Sequence, residues 1–143
     1  NLRTVDRTTH GAVSGVDKGA YILKEASSAP SVTIIATGSE VGIALDAQIA
    51  LEADGVSTRV VSAPCLEWFN EQPNSYRESV LPASSLRVSI EAGIALGWRE
   101  YVGDTGVIIS LDHWGASASA AKLFTEFGLT SERVVADVKK ALA

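Results

Sequence analysis

The residues best placed to do chemistry in this chain are one tight turn and two carboxylates. The turn, Thr37-Gly38-Ser39-Glu40, is entered from the β-branched run Val32-Thr-Ile-Ile-Ala and followed by Val41-Gly. A short apolar run reads as a buried strand, and the Thr-Gly-Ser after it reads as a turn into a helix. At such a corner of an α/β sheet, unpaired backbone N–H groups point outward and ligands collect. Thr37 and Glu40 have the spacing of a capping box, which assigns the Glu40 carboxylate to a backbone N–H rather than to a ligand. Glu91 ends a second strand-like run in Ile90-Glu-Ala-Gly93. A carboxylate at a strand's carboxyl end pairs with a backbone N–H, a base or a ligand, and both structural and functional roles stay open for it.

The remaining reactive side chains form no pattern. Asp112-His113 has the composition of half an acid/base pair, but a dipeptide in a loop at a strand end is the simpler reading. His10 and His113 are far apart and lack partners at ligand spacing, so no metal centre is expected. Cys65 follows Pro64 with no His nearby in sequence, as a small residue in a strand-to-helix loop would. No Gly-x-Gly-x-x-Gly, P-loop or Gly-x-Ser-x-Gly run occurs.

These residues need a scaffold. A chain of 143 residues suits one domain and buries about two-thirds of its unfolded surface. Its net charge of −5, with Lys and Arg scattered, argues against binding to nucleic acid or an anionic membrane. No apolar stretch reaches the ~20 residues of a membrane span, and the start has no apolar core of a signal peptide. A single cysteine excludes an internal disulfide and is compatible with a reducing cytosol. The absence of Met, at the start and throughout, reads as a piece of a longer protein.

Residues 1–19 are polar and turn-rich and read as a linker lying over the surface. Five β-type runs follow, at Ala20–Leu23, Val32–Ala36, Thr58–Ser62, Leu86–Ile90 and Val107–Leu111. The connection from the first run to the second is too short for a parallel crossover, so the first should be an antiparallel edge strand. The other four alternate with helical segments and should run parallel, with helices on both faces.

A helix from Thr37 to about Asp54 places Val41, Ala44, Leu45 and Ile49 on one face, with Gly55 as its left-handed cap. Short helices are expected after Trp68, over Tyr76–Val80, Ala95–Tyr101 and Ser117–Phe127. Thr130 then caps a final helix carrying Val134, Val135, Val138, Ala141 and Leu142, with Lys139 and Lys140 complementing its last turn. Trp68, Trp98 and Trp114 are the aromatics expected to matter for packing, and Trp98 with Tyr101 should form a core or interface stripe.

Several phrases, in this order and at these intervals, carry a family resemblance: Ile35-Ala-Thr-Gly-Ser-Glu-Val, Arg59-Val-Val-Ser-Ala-Pro, Tyr76-Arg-Glu-Ser-Val-Leu-Pro, Glu91-Ala-Gly-Ile-Ala, and Gly115 to Gly128 leading into Leu-Thr. The chain resembles the C-terminal domain of transketolase from about Gly19 to Leu142, and Tyr-Arg-Glu-Ser-Val-Leu-Pro is the most specific piece. Ser119, Leu111-Asp-His-Trp and Cys65 depart from the family's common residues in their loops.

The resemblance implies a three-layer α/β/α domain with a five-stranded mixed sheet, order 1-3-2-4-5, and strand 1 antiparallel to the rest. It implies residues 1–19 as an interdomain linker and 20–143 as the domain. It also implies a cytoplasmic, homodimeric parent enzyme that moves a two-carbon ketol unit from a ketose phosphate to an aldose phosphate in the pentose phosphate pathway. That enzyme would use thiamine diphosphate and a divalent cation (Mg or Ca) between its first two domains. None of those sites falls in the C-terminal domain, so the resemblance assigns no catalytic, cofactor-binding or metal residue here. The partners it implies are the remaining transketolase domains.

Two other classes compete with this non-catalytic scaffold. One is a free-standing α/β module binding a small ligand at the Thr37 corner. The other is a small enzyme working through Glu91, His113 or Cys65. With order 1-3-2-4-5, strands two and four are neighbours at the point where the chain reverses direction across the sheet, and a crevice opens beyond their carboxyl ends. Thr37, Gly38, Ser39, Glu40, Glu91 and Gly93 should therefore line one shallow cleft. It would suit a small polar ligand or a loop of a neighbouring domain, since Glu40 and Glu91 repel anions unless paired.

Overall fold

A computed structural model describes residues 4–6, 9–10 and 13–143 of the chain. The elements that organise it are β1 (Tyr21–Lys24), β2 (Val32–Ala36), α1 (Glu40–Ala53), β3 (Thr58–Ser62), α2 (Leu66–Asn70) and α3 (Asn74–Val80). They continue with β4 (Leu86–Ile90), α4 (Trp98–Val102), β5 (Val107–Ile109), α5 (Ala120–Glu126) and α6 (Ser131–Leu142). The strands form a single sheet in the order β1-β3-β2-β4-β5. β1 lies at one edge, antiparallel to β3, and every other pairing is parallel. This is the architecture that the run pattern and the resemblance predict.

Strand geometry sends alternate side chains to opposite faces, and here both faces are covered. Ile34, Val60, Val88 and Ile109 meet Ala44, Leu51, Val134 and Val138 of α1 and α6. On the other face Ile35 and Val61 meet Phe69, Val80, Trp98 and Tyr101 of α2, α3 and α4. β2 is buried along its whole length, as a strand covered on both faces requires.

Several details differ from the sequence reading, each for a local reason. Ile49 is 64% exposed, whereas Val41, Ala44 and Leu45 are buried as expected. The buried stripe of α1 is turned towards Gln48, whose amide donates to the carbonyls of Thr58 (2.8 Å) and Glu25 (3.1 Å). A polar residue that satisfies strand-end carbonyls thus takes a place that apolar spacing gave to Ile49.

In α6, Thr130 caps the helix by accepting from the Arg133 N–H, and Val134 and Val138 are fully buried. Ala141 and Leu142 face solvent. Of the three tryptophans only Trp98 packs inside. Trp68 is about half exposed, and Trp114, on the loop after β5, is 96% exposed.

The segment read as a linker is partly built into the fold. Residues 1–3, 7–8 and 11–12 lie outside the described residues, but Val13–Lys18 form a 3-10 turn and Val16 packs against the core. The turn ends at Gly19, whose φ of +81° lies in the left-handed region. A Cβ there would collide with the Cys65 carbonyl, the Phe69 N–H and the Trp68 side chain. The Gly19 carbonyl itself accepts from the Cys65 N–H at 2.9 Å, which fixes the entry of the chain against the start of α2.

Arg59 is the other fixed point. Its buried guanidinium forks onto Glu25 (Nε to Oε1 2.8 Å, Nη2 to Oε2 2.9 Å) and donates from Nη1 to the carbonyls of Ser79 and Val80. One side chain of β3 therefore ties the loop after β1 to the end of α3. Burial raises the Glu25 pKa, but the Arg59 hydrogen bonds, the Ala26 N–H and the Arg59 charge outweigh it and hold the carboxyl below its ordinary range.

Two predictions follow from these fixed points. The Gly19→Ala chain should lose at least about 2 kcal/mol in urea unfolding, because strained backbone and overlap act together. Wild-type stability should gain nothing further from Glu25 above the ordinary glutamate range. It should fall as pH drops through the depressed folded value, because the folded carboxyl binds its proton less readily than the unfolded one. Glu25→Gln should flatten that acid limb, and an unchanged pH slope would contradict the assignment.

Candidate functional site

The parallel sheet brings the two predicted loops to one edge. Ala36 and Ile90 are register partners on β2 and β4, so Thr37 and Glu91 leave the sheet side by side. α2 and the loop leading into α4 flank them and leave a cleft of about 330 Å³. Thr37 and Glu91 both border it, with Cys65, Glu67, Asn70, Leu96, Trp98, Glu100 and Tyr101 around them.

Gly38, Ser39, Glu40 and Gly93 do not line the cleft. The expected capping box does not form either. α1 begins at Glu40, which makes Glu40 the first helical residue instead of the third, and the Ser39 side chain at the cap position accepts from no backbone N–H of the helix. Gly38, at φ +54°, turns the chain just before this point. Glu40 is buried, and its Oε1 accepts from the Ser39 hydroxyl at 2.7 Å. The Thr37 carbonyl accepts the Glu40 N–H.

Glu91 finds a partner that no spacing indicated. The Trp98 indole Nε1–H donates to its Oε2 at 2.7 Å, across the loop that joins β4 to α4. Gly93 lies close beneath this pair: a Cβ there would stand 3.2 Å from the Glu91 carboxyl carbon. Its carbonyl also accepts from the Leu111 N–H at 2.7 Å.

At the far wall Asn70 Nδ2 donates to the Tyr101 hydroxyl at 2.8 Å. Burial pushes the Tyr101 hydroxyl above its ordinary pKa. The Asn70 bond opposes this, and the charges of Glu100 and Glu67 add to it. Cys65 Sγ–H points to Glu67 at 3.4 Å.

Three carboxylates, Glu67, Glu91 and Glu100, border the cleft, and among the described residues no Lys, Arg or His does. That balance disfavours a phosphate and favours a cationic or neutral polar group. Among the described residues the cleft holds no thiol or hydroxyl beside a histidine, and the Cys65 thiol has only the Glu67 carboxylate near it. His113 instead meets Phe127 edge-to-face, with ring centroids 4.5 Å apart, and His10 lies with Asp6 and Thr9 in the opening segment. Among the described residues no three His, Cys, Asp or Glu are grouped to hold a metal ion, and no helix is long and apolar enough to cross a membrane.

Glu67, Asn70 and Tyr101 were not singled out for the site by the sequence reading. Their signal lies in topology: β3 flanks β2 on the side opposite β4, so its carboxyl-end loop and α2 must border the same crevice.

This fold and cleft define a doubly covered α/β domain of the transketolase-like type. The family model for the transketolase-like TK C-terminal domain matches residues 19–130. The transketolase of Mycobacterium tuberculosis is 48% identical over 134 residues, which cover 90% of this chain and 19% of that protein. The transketolase of Geobacillus stearothermophilus is 45% identical over 144 residues, covering 99% of this chain and 22% of that protein. Among solved structures, transketolase from Leishmania mexicana superposes with a TM-score of 0.85 at 38% identity, over 93% of this chain and 19% of that one. The chain belongs to the transketolase family, as its C-terminal domain, and spans about one fifth of the length of the curated relatives it matches.

The pairing of Glu91 with Trp98 should be measurable. Glu91→Ala leaves a largely buried indole N–H without its acceptor and should cost about 1–3 kcal/mol. Glu91→Gln, which keeps an acceptor oxygen, should recover most of that loss in the same denaturant titration. Equal losses for both variants would contradict the hydrogen bond.

Proposed function

We propose that this chain is the non-catalytic C-terminal domain of a transketolase, with residues 1–19 joining it to the preceding domain and residues 20–143 forming the folded unit. The whole enzyme would move a two-carbon ketol unit from a ketose phosphate to an aldose phosphate in the pentose phosphate pathway. It would do so as a cytoplasmic homodimer, using thiamine diphosphate and Mg or Ca held by its other domains. The observation that carries this reading is the high identity along nearly all of this chain to enzymes of which it forms one fifth.

The residues here do not suit the cofactor. A diphosphate needs cations or a cradle of free N–H groups, whereas the cleft is walled by three carboxylates. No Gly-Asp-Gly…Asn run is present to anchor one through a metal ion. The domain's contribution is therefore read as packing: it supports the other domains and the dimer.

The cleft supports a second reading, in which Thr37 and Glu91 form a weak site for a small polar group or for a loop of a neighbouring domain. A free-standing module with the same cleft would bind its ligand without the rest of the enzyme.

Calorimetric titration of thiamine diphosphate with magnesium into the folded 143-residue chain should give no heat of binding, and the chain should transfer no ketol units. Micromolar affinity for the cofactor would overturn the assignment of the chemistry to the other domains.

A further inference from the structure

The cleft at the carboxyl ends of β2 and β4 carries more hydrogen-bonding capacity than the fold uses. Glu91 gives its Oε2 to the Trp98 indole, and its Oε1 has no partner among the described residues. Asn70 donates from Nδ2 to the Tyr101 hydroxyl, and neither the Asn70 Oδ1 nor the Tyr101 O–H itself has a partner among them. Tyr101 is only 8% exposed, yet it borders the cleft. Burial holds its pKa above the ordinary value and the charges of Glu100 and Glu67 add to this, so the phenol keeps its proton and stays a donor. A buried donor without an acceptor is costly, and the open space beside this one is the cleft.

Size and charge narrow what could fill that space. The volume of about 330 Å³ falls within the range of small-molecule sites, which begins near ~300 Å³. Glu67, Glu91 and Glu100 set three negative charges on the wall. Arg77 and Arg87 lie behind Tyr101, in a second cavity that Glu78 and Glu100 also line. A matching ligand therefore brings positive charge, several N–H or O–H donors for the carboxylates and Asn70, and an acceptor for the Tyr101 O–H. Phosphates and carboxylates fail on charge. A lysine or arginine side chain from another polypeptide has the charge but carries donors alone, and leaves Tyr101 unsatisfied. A primary ammonium next to hydroxyl groups meets all three demands.

We propose that the cleft binds a small amino polyol, its ammonium held by Glu67, Glu91 and Glu100 and one of its hydroxyl oxygens accepting from Tyr101. The proposal rests on the reading of the cleft as a site for a small polar group and deepens it by fixing the charge and chemistry of that group.

Cys65, the single cysteine of the chain, borders the cleft and reports on its occupancy. Iodoacetamide labelling of Cys65 in the 143-residue chain, read by peptide mass, is measured against rising glucosamine, glucose and glucuronate. These probes share one ring and differ in charge once the glucosamine amine is protonated. Glucosamine should slow the labelling saturably. Glucose should need about ten-fold more for the same protection, because hydrogen bonds between charged groups are lost, and glucuronate should give none. The Trp98 indole N–H resonance, which reports on the bond to Glu91, should move in the same glucosamine titration.

Glu91→Gln keeps an acceptor for Trp98 but removes the charge, and should close most of the gap between glucosamine and glucose. Tyr101→Phe should raise the half-protecting glucosamine concentration about five-fold, the worth of one neutral hydrogen bond. Thermal transitions check that both variants fold, and the wild-type titrations stand without them. Protection by glucose equal to that by glucosamine would overturn the assigned chemistry while leaving the cleft a polar site. Protection by none of the three would overturn that reading as well. A glucosamine preference unchanged in both variants would also overturn the proposal, because binding would then lie elsewhere.

Discussion

Everything at the functional edge of this domain depends on β2 having no contact with water. Val32–Ala36 are buried on both faces, and the strand is hydrogen-bonded in parallel to β3 on one side and β4 on the other. A strand with neither face exposed needs a helix layer above and below it, and its parallel neighbours must be reached by crossovers. The chain meets both demands by building β3 on one flank and β4 on the other. That reversal opens the crevice between α2 and α4 and puts Thr37, Glu91 and the turn after β3 around one cleft. The cleft is thus a consequence of how the core closes.

The electrostatics of that cleft bear directly on function. An α/β switch point is a common place for a phosphate, yet the described residues that border this one include three carboxylates and no cation. The Glu40 carboxyl is buried at the first turn of α1, its Oε1 accepting from the Ser39 hydroxyl, and so occupies the place an anion would take at that helix N-terminus. Arg77 and Arg87 lie behind Tyr101, in a second cavity that Glu78 and Glu100 also line.

Much of the fold was legible in the sequence because its signals are strong and local. The runs Val32–Ala36, Thr58–Ser62 and Leu86–Ile90 have the length of buried strands and became β2, β3 and β4 with those boundaries. The brief link to β2 marked β1 as antiparallel. Side-chain partnerships were less legible, because they cross between elements. The partner of Glu91 is Trp98, seven residues on and reached only across the loop that joins β4 to α4. Gln48 displaced Ile49 from the core because two strand-end carbonyls needed a donor, a requirement that appears only once the strands are in place. The capping box failed because the helix starts at Glu40 itself, and the turn set by Gly38 could not be placed to the residue from spacing. Asn70 and Tyr101 carried no site signal of their own. They became wall residues because α2 and α4 face each other across the crevice.

The account stands on this chain being one domain of a larger enzyme. The most direct measurement is the intact mass of the natural gene product, captured with an antibody raised against this domain. The account predicts a polypeptide about five times the 15.0 kDa of this chain, since the domain makes up 19% of its transketolase relatives. A natural product of 15.0 kDa, complete by itself, would contradict it.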